Sequence, residues 1–310
     1  MKNPGPVLSG GVWGLARCAR ALKSCFEAAF HPSLLDIAHQ DGKLRDMTGS
    51  SITFTHALCR APARSVARGL HAVDHGAPDA DEFAREHGSY VAALRATGAD
   101  VTVLPAQEDF PDSVFIEDPA LILKEVAIEL RPGAPSRLGE APALAADLAL
   151  YGLEVRHLPE GGFVDGGDIL CSDFEVMVGF SARTDRAGIE GLRPIAEDLG
   201  HHVRIVETPP EILHFKTECS LLDPDTVLAT PRLAATGAFN GYRVIETAEG
   251  EEAAANAIRF NDPVFLARGH PRTAERLEAA GFSVLSLPVG QAALLDGGLS
   301  CMSLRYSLPN

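Results

Sequence analysis

One pattern recurs along this chain and restricts its folds more than any other feature. Short strands with alternating apolar positions begin at Asp100 (DVTVLP), Leu153 (LEVRHLP), His202 (HVRIVETP), Tyr242 (YRVIETA) and Phe282 (FSVLSLP), about 40 to 50 residues apart. Most follow a helix-like stretch that runs into glycine or another small breaker, as in DEFAREHGSYVAALRATGA and PRTAERLEAAGF. Between them lie paired apolar runs around polar turns: ALILKEVAIEL, DILCSDFEVMVGF, SLLDPDTVLAT and AIRFNDPVFLA. Each repeat therefore holds strands plus one helix. Five such units predict an α/β fold closed into a five-bladed pseudosymmetric α/β-propeller. A doubly wound sheet is the competing architecture. Apolar runs only a few polar residues apart favour hairpins over pure crossovers, which need a dozen residues or more.

The bounds agree with a soluble enzyme-sized chain. Its 310 residues give ample core, and hydrophobic and charged residues make up 46% and 22%. No apolar run reaches the roughly 18 to 20 residues of a membrane helix. The formal net charge is −15 with no basic stripe, which argues against nucleic acid as a partner. The six cysteines (Cys18, Cys25, Cys59, Cys171, Cys219, Cys301) form no C-x-x-C pair and no cluster with histidine at zinc spacing. A disulfide scaffold and a structural metal are not expected, and a reducing cytoplasm fits the pattern.

Residues 1–46 differ from the rest. MKNPGPVLSGGVWGLARCARALKSCFEAAF has one early lysine and an apolar patch broken by glycines and Arg17, a poor secretory signal. Met47, followed by polar TGSS and strand-like ITFTHALC, reads as a natural beginning. The expectation is a poorly ordered, dispensable extension over 1–46 and a single catalytic domain over 47–310.

In a pseudosymmetric ring, equivalent loops converge on the axis. The segments after the five recurrent strands read QEDFPDSVFIEDPA, EGGFVDGGDI, PPEILHFKT, EGEEAAANAI and VGQAALLDGGLSCMS. They carry carboxylates, a histidine (His214) and a cysteine (Cys301), the parts for nucleophilic attack on an electron-poor carbon. Each has an ordinary alternative. Asp165-Gly166-Gly167-Asp168 reads as a turn, and His214 as a satisfied core histidine. Asp112, Glu117 and Asp118 read as a solvated loop, and Cys301 as a spacer in a last strand. Their common placement within the repeat favours function.

From about Phe54 to Tyr306 the chain resembles the dimethylarginine dimethylaminohydrolases, guanidine-modifying enzymes with a five-bladed α/β-propeller. The matching strings are RAPARSVARGL, FPDSVFIEDPA, RPGAPSR, VDGGDI, SART, LHFKT, AAANAI and DGGLSCMSLR, in order. The resemblance implies Cys301 as nucleophile, His214 as general acid and base, and Asp165 as the acidic member of the set. Many bacterial relatives have glutamate at that last position, so aspartate alters reach rather than chemistry. It also implies a guanidinium pocket lined by Asp112, Glu117 and Asp118. Arg131 and Arg183 would bind the substrate's α-carboxylate, and Leu70 and Leu295 would contact substrate. The implied reaction converts Nω-methylated arginines to citrulline and a methylamine, with no cofactor and no metal. An arginine deiminase or amidinotransferase is the nearer alternative, and a non-catalytic propeller the more distant one. Free-arginine deiminases generally carry an extra helical insertion that this chain lacks. The oligomeric state, a homodimer included, is left open by the sequence.

The chemistry of such a substrate agrees with these residue types. A substituted guanidinium is a planar cation whose unpaired burial costs several kcal/mol. Carboxylates aimed at its N–H groups offset that cost and fix its plane for attack.

Overall fold

The computed structural model describes residues 51–308 together with Met1. Apart from Met1, the extension expected over residues 1–46 lies outside the described residues. Within the unit Asp46–Asn310 the five repeats appear as five three-stranded sheets.

Strands β1 (His56–Arg60) and β2 (Asp100–Leu104) come first. Four complete sheets follow. They are β3 (Ala120–Leu123), β4 (Val126–Glu129) and β5 (Glu154–His157); β6 (Ile169–Cys171), β7 (Glu175–Phe180) and β8 (His202–Glu207); β9 (Cys219–Asp223), β10 (Thr226–Ala229) and β11 (Arg243–Glu246); then β12 (Ile258–Arg259), β13 (Pro263–Ala267) and β14 (Ser283–Leu287). A last strand, β15 (Leu304–Tyr306), pairs back onto β1, with Leu304 opposite Leu58 and Tyr306 opposite His56. In every sheet the middle strand (β1, β4, β7, β10 or β13) is antiparallel to one neighbour and parallel to the other. In all but the first sheet a hairpin seen in the sequence supplies the antiparallel pair. The parallel partners need crossovers, and each crossover carries a helix: α1 (Ala80–Ala96), α2 (Glu140–Leu150), α3 (Arg186–Asp198), α4 (Pro231–Ala234) and α5 (Pro271–Ala279).

Local chemistry accounts for these helices. Asp79 caps α1 by accepting the Glu82 N–H at 2.8 Å, and Asp185 caps α3 through the Gly188 N–H at 2.7 Å. On α1 the buried residues Phe83, His87, Tyr90, Val91 and Leu94 follow the 3.6-residue period, so one stripe faces the core.

Cores form between neighbouring blades. Residues of α1, β1, β13 and β14 share one apolar cluster, joining the first and fifth sheets. Leu58, Ala127, Leu144 and Leu304 join the first to the second, and Val126, Ile128, Val176 and Ile189 the second to the third. Leu222, Leu228, Val264 and Leu277 join the fourth to the fifth. Between third and fourth the Ser172 and Tyr242 hydroxyls lie 2.9 Å apart, Arg204 donates to the Ala238 carbonyl at 2.9 Å, and buried Phe215, packed on Gly179 of β7, stacks on Phe239. Each sheet thus packs on two neighbours and the ring closes, as a propeller requires. No helix among the described residues is long and apolar enough to cross a membrane.

Candidate active site

Five connections leave the third strands β2, β5, β8, β11 and β14. Cys301 lies in the fifth, in a one-turn 3-10 helix (Ser300–Met302) just before β15. Its sulfur is buried and accepts the Gly298 N–H at 3.4 Å and an Asn256 Nδ2–H at 3.7 Å. Gly298 must be glycine, because a Cβ there would sit 2.4 Å from Asn256 Cγ. Burial pushes the Cys301 thiol up to about 11, and the Glu117 and Asp118 carboxylates push in the same direction. The two N–H donors pull the other way without prevailing, so the resting side chain is a neutral thiol.

His214 comes from the third connection. Its Nε2 lies 2.9 Å from Asp165 Oδ2, and Asp165 Oδ1 accepts the Gly133 N–H at 2.6 Å. Burial alone would lower the imidazole. The charge of Asp118, the hydrogen bond to Asp165 and the nearby Asp168 override it and raise His214 to about 9. At neutral pH it is an imidazolium with a proton to give.

The DGGD stretch packs these parts together. Gly167 donates its N–H to Asp118 Oδ1 at 3.0 Å, and a Cβ at Gly167 would lie 2.9 Å from the His214 ring. Asp168, fully buried, accepts the Ser181 and Thr184 hydroxyls at 2.6 Å each and the Phe215 N–H at 2.8 Å. One carboxylate thus ties the segment bearing Arg183 to the segment bearing His214. The DGGD stretch is therefore more than a turn.

A cavity of about 120 Å³ is lined by Cys301, His214, Asp165, Asp118, Asp112, Arg183, Leu70 and Leu295. Asp118 is buried, and its carboxyl is held below the usual range because Arg137 and His214 outweigh the opposing burial. Asp112 is pushed up, chiefly by burial, and its Oδ1 accepts the Leu70 N–H at 2.8 Å. The guanidinium of Arg183 makes no hydrogen bond or ion pair among the described residues, although it faces this cavity.

Two expected residues are elsewhere. Glu117 does not line the cavity. Its Oε1 bridges Lys216 Nζ at 2.5 Å and Arg305 Nη2 at 2.8 Å, and its Oε2 accepts the Ser300 hydroxyl at 3.0 Å. With both oxygens committed to buried cations and the cysteine's neighbour, it serves as a floor under Cys301. Arg131 turns away: its Nη1 donates to the Pro159 and Gly162 carbonyls at 2.9 and 3.1 Å. It lines a separate hollow of about 460 Å³ that contains neither the cysteine nor the histidine.

The arginine of the RPGAPSR string that reaches the cavity is Arg137, six residues on. It is buried, paired with Asp118 and forked onto Glu140 at 2.7 to 3.1 Å. Sequence reasoning also passed over Asn256, inside the quoted AAANAI, and Asp296. Asp296 adopts φ 56° at the cavity rim and accepts the Ala72 N–H at 2.5 Å.

Asp118, Asp165 and His214 each bring a donor atom within 4.8 Å of the others, the spacing of a metal site. His214 is raised and both carboxylates accept hydrogen bonds, so a cation would have to displace the imidazolium proton to bind this trio.

Known proteins match this arrangement. A family model described as arginine deiminase matches residues 142–264. The N(G),N(G)-dimethylarginine dimethylaminohydrolase of Pseudomonas aeruginosa is 36% identical over 254 residues, which are 82% of this chain and all of that protein. The protein of the same name from Streptomyces coelicolor is 32% identical, with 80% of this chain and 96% of that one covered. Among solved structures, a cysteine-to-serine variant of the Pseudomonas aeruginosa enzyme complexed with citrulline superposes with a TM-score of 0.79 at 36% identity, over 82% of this chain and all of that one.

Proposed function

The chain belongs to the dimethylarginine dimethylaminohydrolase family, and from that premise we propose how its own side chains hydrolyse a methylated arginine. The reaction is hydrolysis of an amidino C–N bond, giving citrulline and a methylamine. The observation that carries the assignment of roles is the shared cavity: a cysteine, an imidazolium, buried carboxylates and an uncommitted arginine all face it.

The substrate's guanidinium enters between Asp112 and Asp118, and Arg183 takes the α-carboxylate as a forked donor. Arg137, engaged with Asp118 and Glu140, holds the pocket wall rather than the ligand. The entering cation offsets the Glu117 and Asp118 charges that disfavour the thiolate, so Cys301 releases its proton to solvent as the site fills. The thiolate attacks the guanidine carbon. His214 passes its proton to the dimethylamino nitrogen, the C–N bond breaks, and dimethylamine leaves behind a cationic S-alkylthiouronium on Cys301. Neutral His214, held by Asp165, then takes a proton from water. The hydroxide adds to the same carbon, the C–S bond breaks as the added hydroxyl gives its proton to solvent, and citrulline departs with the thiolate restored.

Incubation with asymmetric dimethylarginine, monomethylarginine and arginine separately, with citrulline as readout, tests the assignment. Citrulline from arginine alone would instead favour the deiminase reading. Arg183→Ala is expected to raise KM for the methylated substrate roughly 10- to 100-fold with a much smaller change in kcat, the mark of a contact present before and during chemistry. An unchanged KM would remove Arg183 from the binding site.

The resting thiol also predicts selective labelling. With the thiol pushed up to about 11, the thiolate is a small minority at pH 7. A neutral haloamide should alkylate Cys301 slowly there, whereas a haloamidine carrying a positive charge should gain about 10²-fold or more beyond its advantage with a free thiol. Equal relative rates would show that a bound cation does not promote ionisation.

Residues 47–310 are proposed as the catalytic domain, since all the residues placed in the site lie between Leu70 and Cys301. A reducing cytoplasm is proposed as its location, supported by free Cys59, Cys171, Cys219 and Cys301.

A further inference from the structure

Four of the five connections supply side chains to the cavity itself; the fourth, between β11 and β12, supplies a contact to the sulfur. We propose that Asn256 is a further catalytic residue, whose carboxamide N–H joins the Gly298 backbone N–H in a two-donor cradle for the Cys301 thiolate. The proposal rests on Cys301 being the nucleophile.

The geometry identifies which end of the carboxamide faces the sulfur. Asn256 is 7% exposed, and its Oδ1 accepts the Ser300 N–H at 2.9 Å. A backbone N–H can only donate, so the oxygen must lie on that side and Nδ2 must point at Cys301 Sγ, 3.7 Å away. Gly298 donates to the same sulfur from its other partner position at 3.4 Å. The fit is close: Gly298 leaves room for the carboxamide only because it lacks a Cβ, which would lie 2.6 Å from Asn256 Nδ2.

The surroundings give these donors a task. Glu117 and Asp118 both oppose ionisation of the sulfur through their negative charge, and Asp112 and Asp165 add further carboxylates at the cavity. Lys216 and Arg305 are engaged by Glu117, and His214 by Asp165. Gly298 and Asn256 both favour the ionised sulfur, whereas the Ser300 hydroxyl, 3.9 Å from it, gives its proton to Glu117. Preorganised N–H donors at a site of developing or departing negative charge act without reorganisation, as in oxyanion holes. The thiolate carries that charge twice per turnover, before attack and again when citrulline leaves.

Two variants separate this role from a scaffold role. Asn256→Ala removes both hydrogen bonds. Asn256→Asp keeps an oxygen for the Ser300 N–H but turns an acceptor toward the sulfur. The readouts are kcat and KM for dimethylarginine, and the substrate-free rate of Cys301 alkylation by iodoacetamide at pH 9, located by peptide mapping. Asn256→Ala should lose roughly 30-fold in kcat with KM within about threefold, and alkylate about tenfold more slowly. Asn256→Asp should be slower than Asn256→Ala in both assays. An Asp variant equal to or better than Ala would make Asn256 a support for Ser300 alone. An Ala variant within twofold of wild type would overturn the proposal outright. Should the Ala variant fail to fold, Asp retains the Ser300 contact, and wild-type kcat and alkylation in that variant would overturn the proposal equally. Failure of the underlying reading looks different: wild-type protein alkylated at Cys301 would still make citrulline.

Discussion

Cys301→Ser is expected to reduce citrulline formation to background and to form no covalent adduct. A neutral hydroxyl in place of the thiol has a much higher pKa, and the carboxylates Glu117 and Asp118 beside it oppose its ionisation further. Wild-type protein quenched in acid during turnover should carry a mass equal to substrate minus dimethylamine, mapped to the peptide containing Cys301. Replacing His214 should slow both adduct formation and its hydrolysis, because the same ring donates to the amine and accepts from water. Cys59, Cys171 and Cys219 should each tolerate serine apart from packing losses. The burial that raises Cys59 to about 12 and Cys171 to about 11 makes both poor nucleophiles, and Cys219 is raised by burial as well. An adduct on one of those three, or full turnover in Cys301→Ser, would return Cys301 to the role of a core spacer.

Asp118→Asn is expected to lower kcat/KM on the order of 10²-fold or more, equivalent to about 3 kcal/mol, because it removes a buried charge that serves three partners. The carboxylate is paired with Arg137, accepts the Gly167 N–H and supplies the largest favourable charge on His214. The variant should therefore show a second signature. The His214 titration, followed by NMR in the absence of substrate, should move below its value of about 9, since the charge that holds the imidazolium is gone. A loss of less than threefold with an unmoved histidine would place Asp118 outside the working site.

The architecture was legible because its units are local. Each hairpin pairs strands only a few residues apart, and the longer crossover helices such as α1 and α5 announce themselves by an apolar period and a closing glycine. The convergence of site segments followed from the repeat. Side-chain direction did not. Glu117 and Asp118 are chain neighbours with the same charge, yet Asp118 faces the cavity while Glu117 points to Lys216 and Arg305. Both cations lie far away in sequence, so the string FIEDPA carries no sign of them. Arg131 and Arg137 present the same ambiguity within one string. Arg131 is held by a bridge to Val164 and by carbonyls of the 159–162 segment, a tertiary pairing that local pattern cannot express. Asn256 was missed because an uncharged amide in an alanine-rich run looks like a spacer. Its significance depends on Gly298 and Cys301, more than forty residues away.

The pairing of β15 with β1 bears on how the molecule is made. Synthesis proceeds from the N-terminus, and β1 pairs with β2 across about forty residues, but its antiparallel neighbour emerges some 250 positions later. Until then Leu58 and its neighbours have one flank unfilled, a long-range closure of the kind that comes late in folding. Cys301 and its Gly298 donor lie immediately ahead of that final strand. Cys301, the proposed nucleophile, therefore reaches the carboxylates, the histidine and its N–H donors in the same event that seals the ring. Translation that stops before Cys301 leaves a molecule with neither the strand that closes the ring nor that sulfur, so on the proposed chemistry activity reports that the closing strand has been made.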